Sequence, residues 1–273
     1  MLTTRQLQDI ENLQKEVEAY DDLQMKLNWE MLRTRDSNQL DFFHYEGEEL
    51  IAFIGVYAFG STAEVTGMVK PGERRKGHFM QLFKEAMAIA KQNGFKRILL
   101  NAPASSAAAK VFLANQGANY GFSEHQMQWQ PRELEEMEGI ILLQATVEDK
   151  DMRVRLDMEA FALAEEDARA MNSRVDGEED TDMLMIVVNE EVVGKIRVKR
   201  EEGEAWIYGF AILPEQQGKG IGRRVLRKVV KQQSEAGHTV HLEVETKNAH
   251  ALNLYESVGF KAVHAQDYYT YEQ

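Results

Sequence analysis

At 273 residues the chain is long enough for two domains of the usual size of ~150 residues, and its 44% hydrophobic and 28% charged content is that of a globular protein. A net charge of −13 argues against nucleic-acid binding, which needs a basic face, and suits either a cationic partner or plain solubility. With no cysteine there are no disulfides, no thiolate metal sites and no cysteine nucleophile, so any acyl transfer is expected to be direct or to use another nucleophile.

No stretch approaches ~18 consecutive apolar residues, and Met1 to Arg5 lack the apolar core of a signal peptide, so no membrane association and a cytoplasmic location are expected. Residues 3–35 carry helical spacing, with Leu7, Ile10, Leu13 and Val17 on one face and Leu23, Leu27, Met31 and Leu32 on another, behind Thr3 or Thr4 as a cap. Residues 41–45, 50–59 and 63–69 read as strands, parted by Glu46-Gly47 and Gly60-Ser61. Phe79, Leu82, Phe83, Ala86, Met87 and Ala90 form a helical stripe, and residues 101–110, with an alanine run, read as the start of a plain helix. The charged segment 131–139, bounded by Pro131 and Gly139, is the expected linker between a domain at 1–130 and one at 140–273. The second domain opens with a strand at 140–146 and helices at 150–162 and 165–174. An acidic run at 176–182 follows, with five carboxylates and no base, then strands at 183–188 and 192–199, and a last strand at 267–271.

The most informative stretch lies between a strand at 206–213 and a helix whose apolar stripe is Ile221, Val225, Leu226, Val229 and Val230. Gly218, Gly220 and Gly222 leave no Cβ against an approaching ligand. The helix start beyond them offers unpaired N–H groups and a positive dipole end, which together read as a phosphate cradle. It is not a P-loop, and the dinucleotide fingerprint would need glycine at Arg223 or Val225. Further on, residues 241–245 alternate as a strand, and Asn248 opens a helical run at 249–258 that ends at Gly259-Phe260.

Gln217-Gly218-Lys219-Gly220-Ile221-Gly222 resembles the Q/R-x-x-G-x-G/A loop of the GNAT superfamily of N-acetyltransferases. Leu242-Glu243-Val244, Asn248, Ala251, Leu254-Tyr255 and Gly259-Phe260 resemble that family's second signature, nearest to its ribosomal-protein N-terminal acetyltransferase branch. The likeness covers residues 140–273 and implies an α/β (α+β) fold: two tandem GNAT-like domains, each a mixed, mostly antiparallel twisted sheet flanked by helices. It implies acetyl-CoA as cosubstrate. The loop from Gln217 to Gly222, with Arg223, would hold the pyrophosphate, Lys219 and Arg224 would contact phosphates, and Asn248 would order the coenzyme. The main chain of Phe210, Ala211 and Ile212 would lie along the pantetheine arm, the N–H of Ile212 polarising the thioester carbonyl. Glu243 matches the family's general base and Tyr255 the acid that protonates the departing thiolate, while His241 and Glu245 share a strand face with Glu243 and are alternative bases. His238 and His250 are read as surface residues. With no HExxH and no GxSxG, neither a metal nor a serine nucleophile is expected.

The implied reaction is acetyl transfer to a primary amine, a small metabolite or a peptide N-terminus, possible cationic character following from the acidity of the chain. A coenzyme A-binding regulatory module without turnover and another acyl or aminoacyl transferase are the alternatives, and the oligomeric state is left open. A shift of 143 residues lays Pro71 on Pro214, Lys76 on Lys219, Gly77 on Gly220 and Leu99 on Leu242 without a gap from Glu48 to Ser105, an internal duplication. In that first copy Phe79 stands at Gly222, Ser105 at Asn248, and Phe112 or, with a one-residue insertion, Leu113 at Tyr255. The first copy therefore reads as degenerate.

Overall fold

The computed structural model describes residues 1–37, 39–134 and 138–272; three residues of the expected linker, 135–137, lie outside the described residues. The chain forms two compact units, Met1–Ser123 with His264–Gln273, and Glu124–Val263.

In the first unit Thr3 caps α1 (Thr4–Asp21) through a reciprocal bond with Gln6, and α2 (Trp29–Thr34) follows. Strands β1 (Asp41–Glu46), β2 (Glu49–Phe59) and β3 (Thr62–Val69) form an antiparallel meander. After α3 (His78–Gln92), β4 (Arg97–Pro103) runs parallel to β3. Alternation along β2 sends Phe53 and Tyr57 to Ile10, Leu13, Val17 and Leu32, and Ala52, Ile54 and Val56 to the opposite face, where α3 lays Leu82, Phe83, Ala86, Met87 and Ala90. Residues 101–103, read from sequence as helical, end strand β4. The helix α4 (Ala107–Asn115) starts only where the Ser106 hydroxyl accepts the Ala109 N–H.

Strand β5 (Asn119–Trp129) leads into the second unit, which continues with β6 (Ile141–Gln144), α5 (Lys150–Phe161), α6 (Glu165–Val175), β7 (Thr181–Val188), β8 (Glu191–Glu201), β9 (Glu204–Ile212), α7 (Ile221–Glu235), β10 (Thr239–Glu245), α8 (Ala249–Val258) and β11 (Phe260–Thr270). The sheet order is β6-β7-β8-β9-β10-β5, antiparallel except for β9 beside β10. One face packs α7 and α8 over Ile196, Val198, Ile207 and Leu242; the other carries α5 over Met185, Ala211 and Leu213. The acidic run at 176–182 is largely matched by arginines: Asp176 pairs with Arg153 at 2.7 Å, Glu178 with Arg197 at 3.1 Å, and Asp182 with Arg200.

The units do not part at the expected 1–130 and 140–273. Glu124 to Gln128 of β5 pair with β10, and Gln266 to Thr270 of β11 pair with β4, so each unit is closed by a strand segment from the other half of the sequence. The duplication is visible element by element, but not without gaps. Thr62 answers Glu204 and Arg97 answers Thr239 in their ladders, one residue less than the shift that relates Pro71 to Pro214. Unit 2 therefore carries one extra residue in β9, and unit 1 carries one extra residue between α3 and β4. Asn248 and Ser106 are equivalent caps, which puts Leu113, not Phe112, at the place of Tyr255 and replaces the expected equivalence with Ser105.

A salt bridge holds the α5–α6 layer of unit 2: Lys195 Nζ lies 2.6 Å from Asp157 Oδ2, with the side chains 1% and 0% exposed, and Asn172 Nδ2 donates to the same oxygen at 2.8 Å. Burial pushes the Lys195 amine down while Asp157 opposes the shift. Asp157→Ala leaves that ammonium buried and unpaired, and a loss of about 3–5 kcal/mol is expected in urea unfolding. Residues 140–273 alone lack Met127 and Trp129, 0% and 6% exposed in the core. Because losing each such side chain costs about 2–5 kcal/mol against a total stability of roughly 5–15, that fragment is expected to show no cooperative thermal transition by circular dichroism, and one beginning at residue 124 to show one.

Candidate active site

The extra residue in β9 is a bulge. Lys195 pairs with Ala211 but Arg197 pairs with Tyr208, so Gly209 and Phe210 together oppose one position of β8, and Gly209 takes φ +53°. Before the bulge, Trp206 and Tyr208 point away from α7; beyond it the phase has flipped, so Phe210 and Ile212 face the α7–α8 core and Ala211 and Leu213 face α5. Pairing with β10 ends at Ile207 opposite Leu242. Beyond that point β9 stays with β8 and β10 with β5, and a cleft of about 1160 Å³ opens between them, all of it within unit 2.

On β9 the Leu213 N–H bonds Val193 O on β8 at 2.9 Å, so alternation turns the N–H and C=O of Ile212 to the cleft. The Ile212 carbonyl accepts Gln217 Nε2 at 2.9 Å, which straps the glycine loop to the strand end. Gly218 and Gly220 have φ +74° and +73°, with nothing within 4 Å of where a Cβ would stand. The helix α7 starts without a side-chain cap, and the first helical bond recorded there is Arg224 N–H to Gly220 O, which leaves the preceding N–H groups directed out of the helix start. Residues 218–223 thus fit a diphosphate by bare main chain and dipole.

Gly222 lines the cleft and also serves the packing behind it. A Cβ there would stand 3.2 Å from Leu254 Cδ2 and 3.5 Å from the Phe210 ring, so its missing side chain makes room for core packing. In unit 1 the arrangement is reversed: Phe79 occupies the helix position and Gly67 the strand position, where a Cβ would meet the Phe79 ring at 2.6 Å. Phe79 also stacks edge-on to Phe112 at 4.9 Å. The ring has changed sides of one contact, and Phe79 also lines the unit 1 cavity. Arg74 Nε even reproduces the loop strap, donating to Val69 O at 3.3 Å, and Asp21 holds its guanidinium at 2.6 Å. The corresponding cavity of unit 1 is about 390 Å³.

Tyr255, Glu243, Asn248, Arg223 and Ile221 line the unit 2 cleft with Phe210, Ala211, Ile212, Gln217, Gly218, Gly220 and Gly222. Lys219 is outside this lining and donates to Gln216 Oε1 at 2.9 Å, Arg224 reaches Glu138 O at 3.4 Å, and Arg223 Nε donates to Ser257 Oγ at 3.1 Å. Asn248 Oδ1 accepts the Ala251 N–H and so caps α8, the helix that carries Tyr255. Burial beside Phe260 pushes the Tyr255 phenol up to about 12, which keeps it protonated at neutral pH. His241, considered as an alternative base, is buried away from the cleft and stacks on Trp206 at 4.9 Å. His250, read as a surface residue, is exposed but on the cleft rim.

The likeness to the family places the acceptor wall around the two helices at 150–162 and 165–174, and the cleft is lined there by Glu159 to Ala162, where α5 ends; the sequence did not single out these residues, nor Glu124 from β5. Glu159, Glu124, Glu243 and Glu245 bring four carboxylates to the lining of the cleft, of which Glu159 is paired with Arg155 at 2.7 Å. A helix end without a recognisable motif carries little signal in sequence, and Glu124 is brought to the cleft only by the pairing of β5 with β10.

The pattern of the Acetyltransferase (GNAT) family matches residues 4–117 and 146–260, one match in each half. A mycothiol acetyltransferase of Brachybacterium faecium is 27% identical over 239 residues, covering 78% of this chain and 69% of that protein. A [ribosomal protein bS18]-alanine N-acetyltransferase of Haemophilus influenzae is 37% identical over 81 residues, and this chain spans 55% of its length. Among solved structures, a GCN5-related N-acetyltransferase from Sphaerobacter thermophilus superposes with a TM-score of 0.79 at 20% identity over 100% of this chain and 97% of that one. A tandem GNAT protein from the clavulanic acid biosynthesis pathway gives 0.63 at 16% identity over 85% and 82%. With two tandem GNAT domains and named acetyltransferases as its relatives, the chain is an acyltransferase and belongs to the acetyltransferase (GNAT) family.

Proposed function

We propose that unit 2 transfers an acetyl group from acetyl-CoA directly to a primary amine. The observation that carries this reading is the bulge-opened cleft, whose lining combines a phosphate-fitting helix start, the strand edge at Ile212, a phenol and carboxylates. Residues 218–223 hold the diphosphate of the donor, and the edge of β9 at 210–212 takes its extended arm as a strand takes a neighbour.

The chemistry divides among three groups. The Ile212 N–H donates to the thioester oxygen as negative charge develops there, an effect worth on the order of 10²- to 10³-fold in rate. An attacking amine with an ordinary pKa of about 8–10 must lose a proton; Glu243 accepts it, directly or through water. The C–N bond forms as the C–S bond breaks, and Tyr255 gives its proton to the leaving sulfur. The excess of carboxylates over bases in the cleft lining favours an acceptor that carries further positive charge, a small amine over an acidic group, even with Glu159 paired to Arg155. The relatives named for mycothiol and for the bS18 alanine mark the two kinds of acceptor to be separated, small thiol-bearing amine and peptide N-terminus. A cytoplasmic location belongs to the same reading; among the described residues no helix is long and apolar enough to cross a membrane.

The test is thiol release from acetyl-CoA over a panel of polyamines, amino sugars and peptides. Tyr255→Phe is expected to lower kcat by about 10²-fold or more while donor affinity is kept, as for an acid that acts only in the transition state. Tight donor binding with no turnover on any amine, in the unaltered protein, would instead favour a coenzyme sensor.

A further inference from the structure

Unit 1 holds a second cluster of chemistry-bearing side chains that the acetyl-transfer reading does not use. His44 and Glu46 lie two residues apart on β1 and so share a face, and His78 is the first residue of α3, delivered there by the left-handed turn at Gly77, φ +98°. Glu46 Oε1 is 3.6 Å from His78 Nε2 and 4.0 Å from His44 Nε2, and the ligating atoms of all three lie within 4.8 Å of one another. The two imidazoles are stacked at 4.3 Å. Both Nε2 atoms are buried and have no hydrogen-bond partner, although the residues are 25% and 15% exposed as a whole.

Two buried ring nitrogens left unsatisfied carry a desolvation cost that a shared ligand would recover. The ligand must accept lone pairs from both imidazoles and charge from a carboxylate. A proton satisfies one nitrogen at a time, and two imidazolium rings in contact at a positive helix end repel each other. A dication satisfies all three groups at once. Tetrahedral zinc with bonds of about 2.0–2.1 Å needs its ligand atoms roughly 3.3 Å apart, so separations of 3.6 Å, 4.0 Å and at most 4.8 Å close by about 0.3 to 1.5 Å, with the stacked rings turning so that both lone pairs meet at one point. Glu73 Oε2, 3.9 Å from His78 Nε2, adds negative charge against the helix dipole while remaining paired with Lys76 at 2.6 Å. Imidazole ligands select a zinc-like transition dication over magnesium or calcium.

We propose that His44, Glu46 and His78 bind one such dication, with water completing the coordination. This sets aside the expectation of no metal, which rested on the absence of an HExxH spacing; here the ligands are divided between a strand and a helix start 32 residues on. Bound there, the ion ties α3 to β1 at the rim of the unit 1 cavity, of which His78, Arg74 and Gly77 are part.

The experiment uses the full, tag-free chain stripped with chelator. Titration with Co²⁺ alone, followed by visible absorption, is expected to give the intense bands of a four-coordinate site at one equivalent, with Zn²⁺ displacing it. His44→Asn, Glu46→Gln and His78→Asn are each expected to weaken binding at least about tenfold, with the far-ultraviolet circular dichroism of the metal-free protein unchanged, and His264→Asn to leave binding unaltered. Absence of saturable Co²⁺ absorption, or equal binding by the three ligand variants, would overturn the proposal.

Discussion

One extra residue in β9 governs the site. The bulge at Gly209 and Phe210 shifts the phase of the strand, ends its pairing with β10 and exposes the polar edge around Ile212. A strand edge with unpaired backbone groups in a half-enclosed cleft is costly unless something pairs with it, and an extended thioester arm is such a partner. The glycine loop and α7 lie just beyond that edge because Gln217 binds the strand end, and Tyr255 lies across the gap because Asn248 starts α8 there. The groups proposed as cradle, polarising N–H and acid are therefore set by the same local event.

Comparison of the two copies shows how one fold yields two different cavities. In β3 the ladder with β2 runs unbroken from Ala52 opposite Val69 to Phe59 opposite Thr62, with no bulge. Leu113 replaces the phenol, and the cavity is about a third the size. The glycine–phenylalanine contact between strand and helix has been kept with its partners exchanged, Phe210 on Gly222 in one unit and Phe79 on Gly67 in the other. That exchange keeps one ring packed against one glycine in each unit, a volume-conserving swap of the kind cores tolerate.

Much of this was legible from the residues. The stripes of α3 and α7, the loop at 217–222 and the signature around Tyr255 rest on local spacing, and local spacing survives folding. What escaped were features set by pairing at a distance. The bulge was hidden because a second one-residue difference between α3 and β4 cancels it, and a gapless repeat therefore seemed to fit. The exchange of the last strands leaves no local mark, since Met127 and Trp129 look the same whichever sheet they complete. The packing role of Gly222 was not legible, because glycine is what both a cradle and a close helix–strand contact require, and only the position of Phe210 reveals the second.

The central claim is that main-chain N–H groups at Ile212 and at residues 218–223 are the parts of the molecule that take hold of the donor. Amide hydrogen exchange of the full chain with and without coenzyme A, resolved to single residues, measures this directly. The expected result is slowed exchange at Ile212 and across 218–223, with Val69 and 75–80 of the first unit unchanged. Protection that misses Ile212 and the start of α7, or that appears equally in both units, would contradict it.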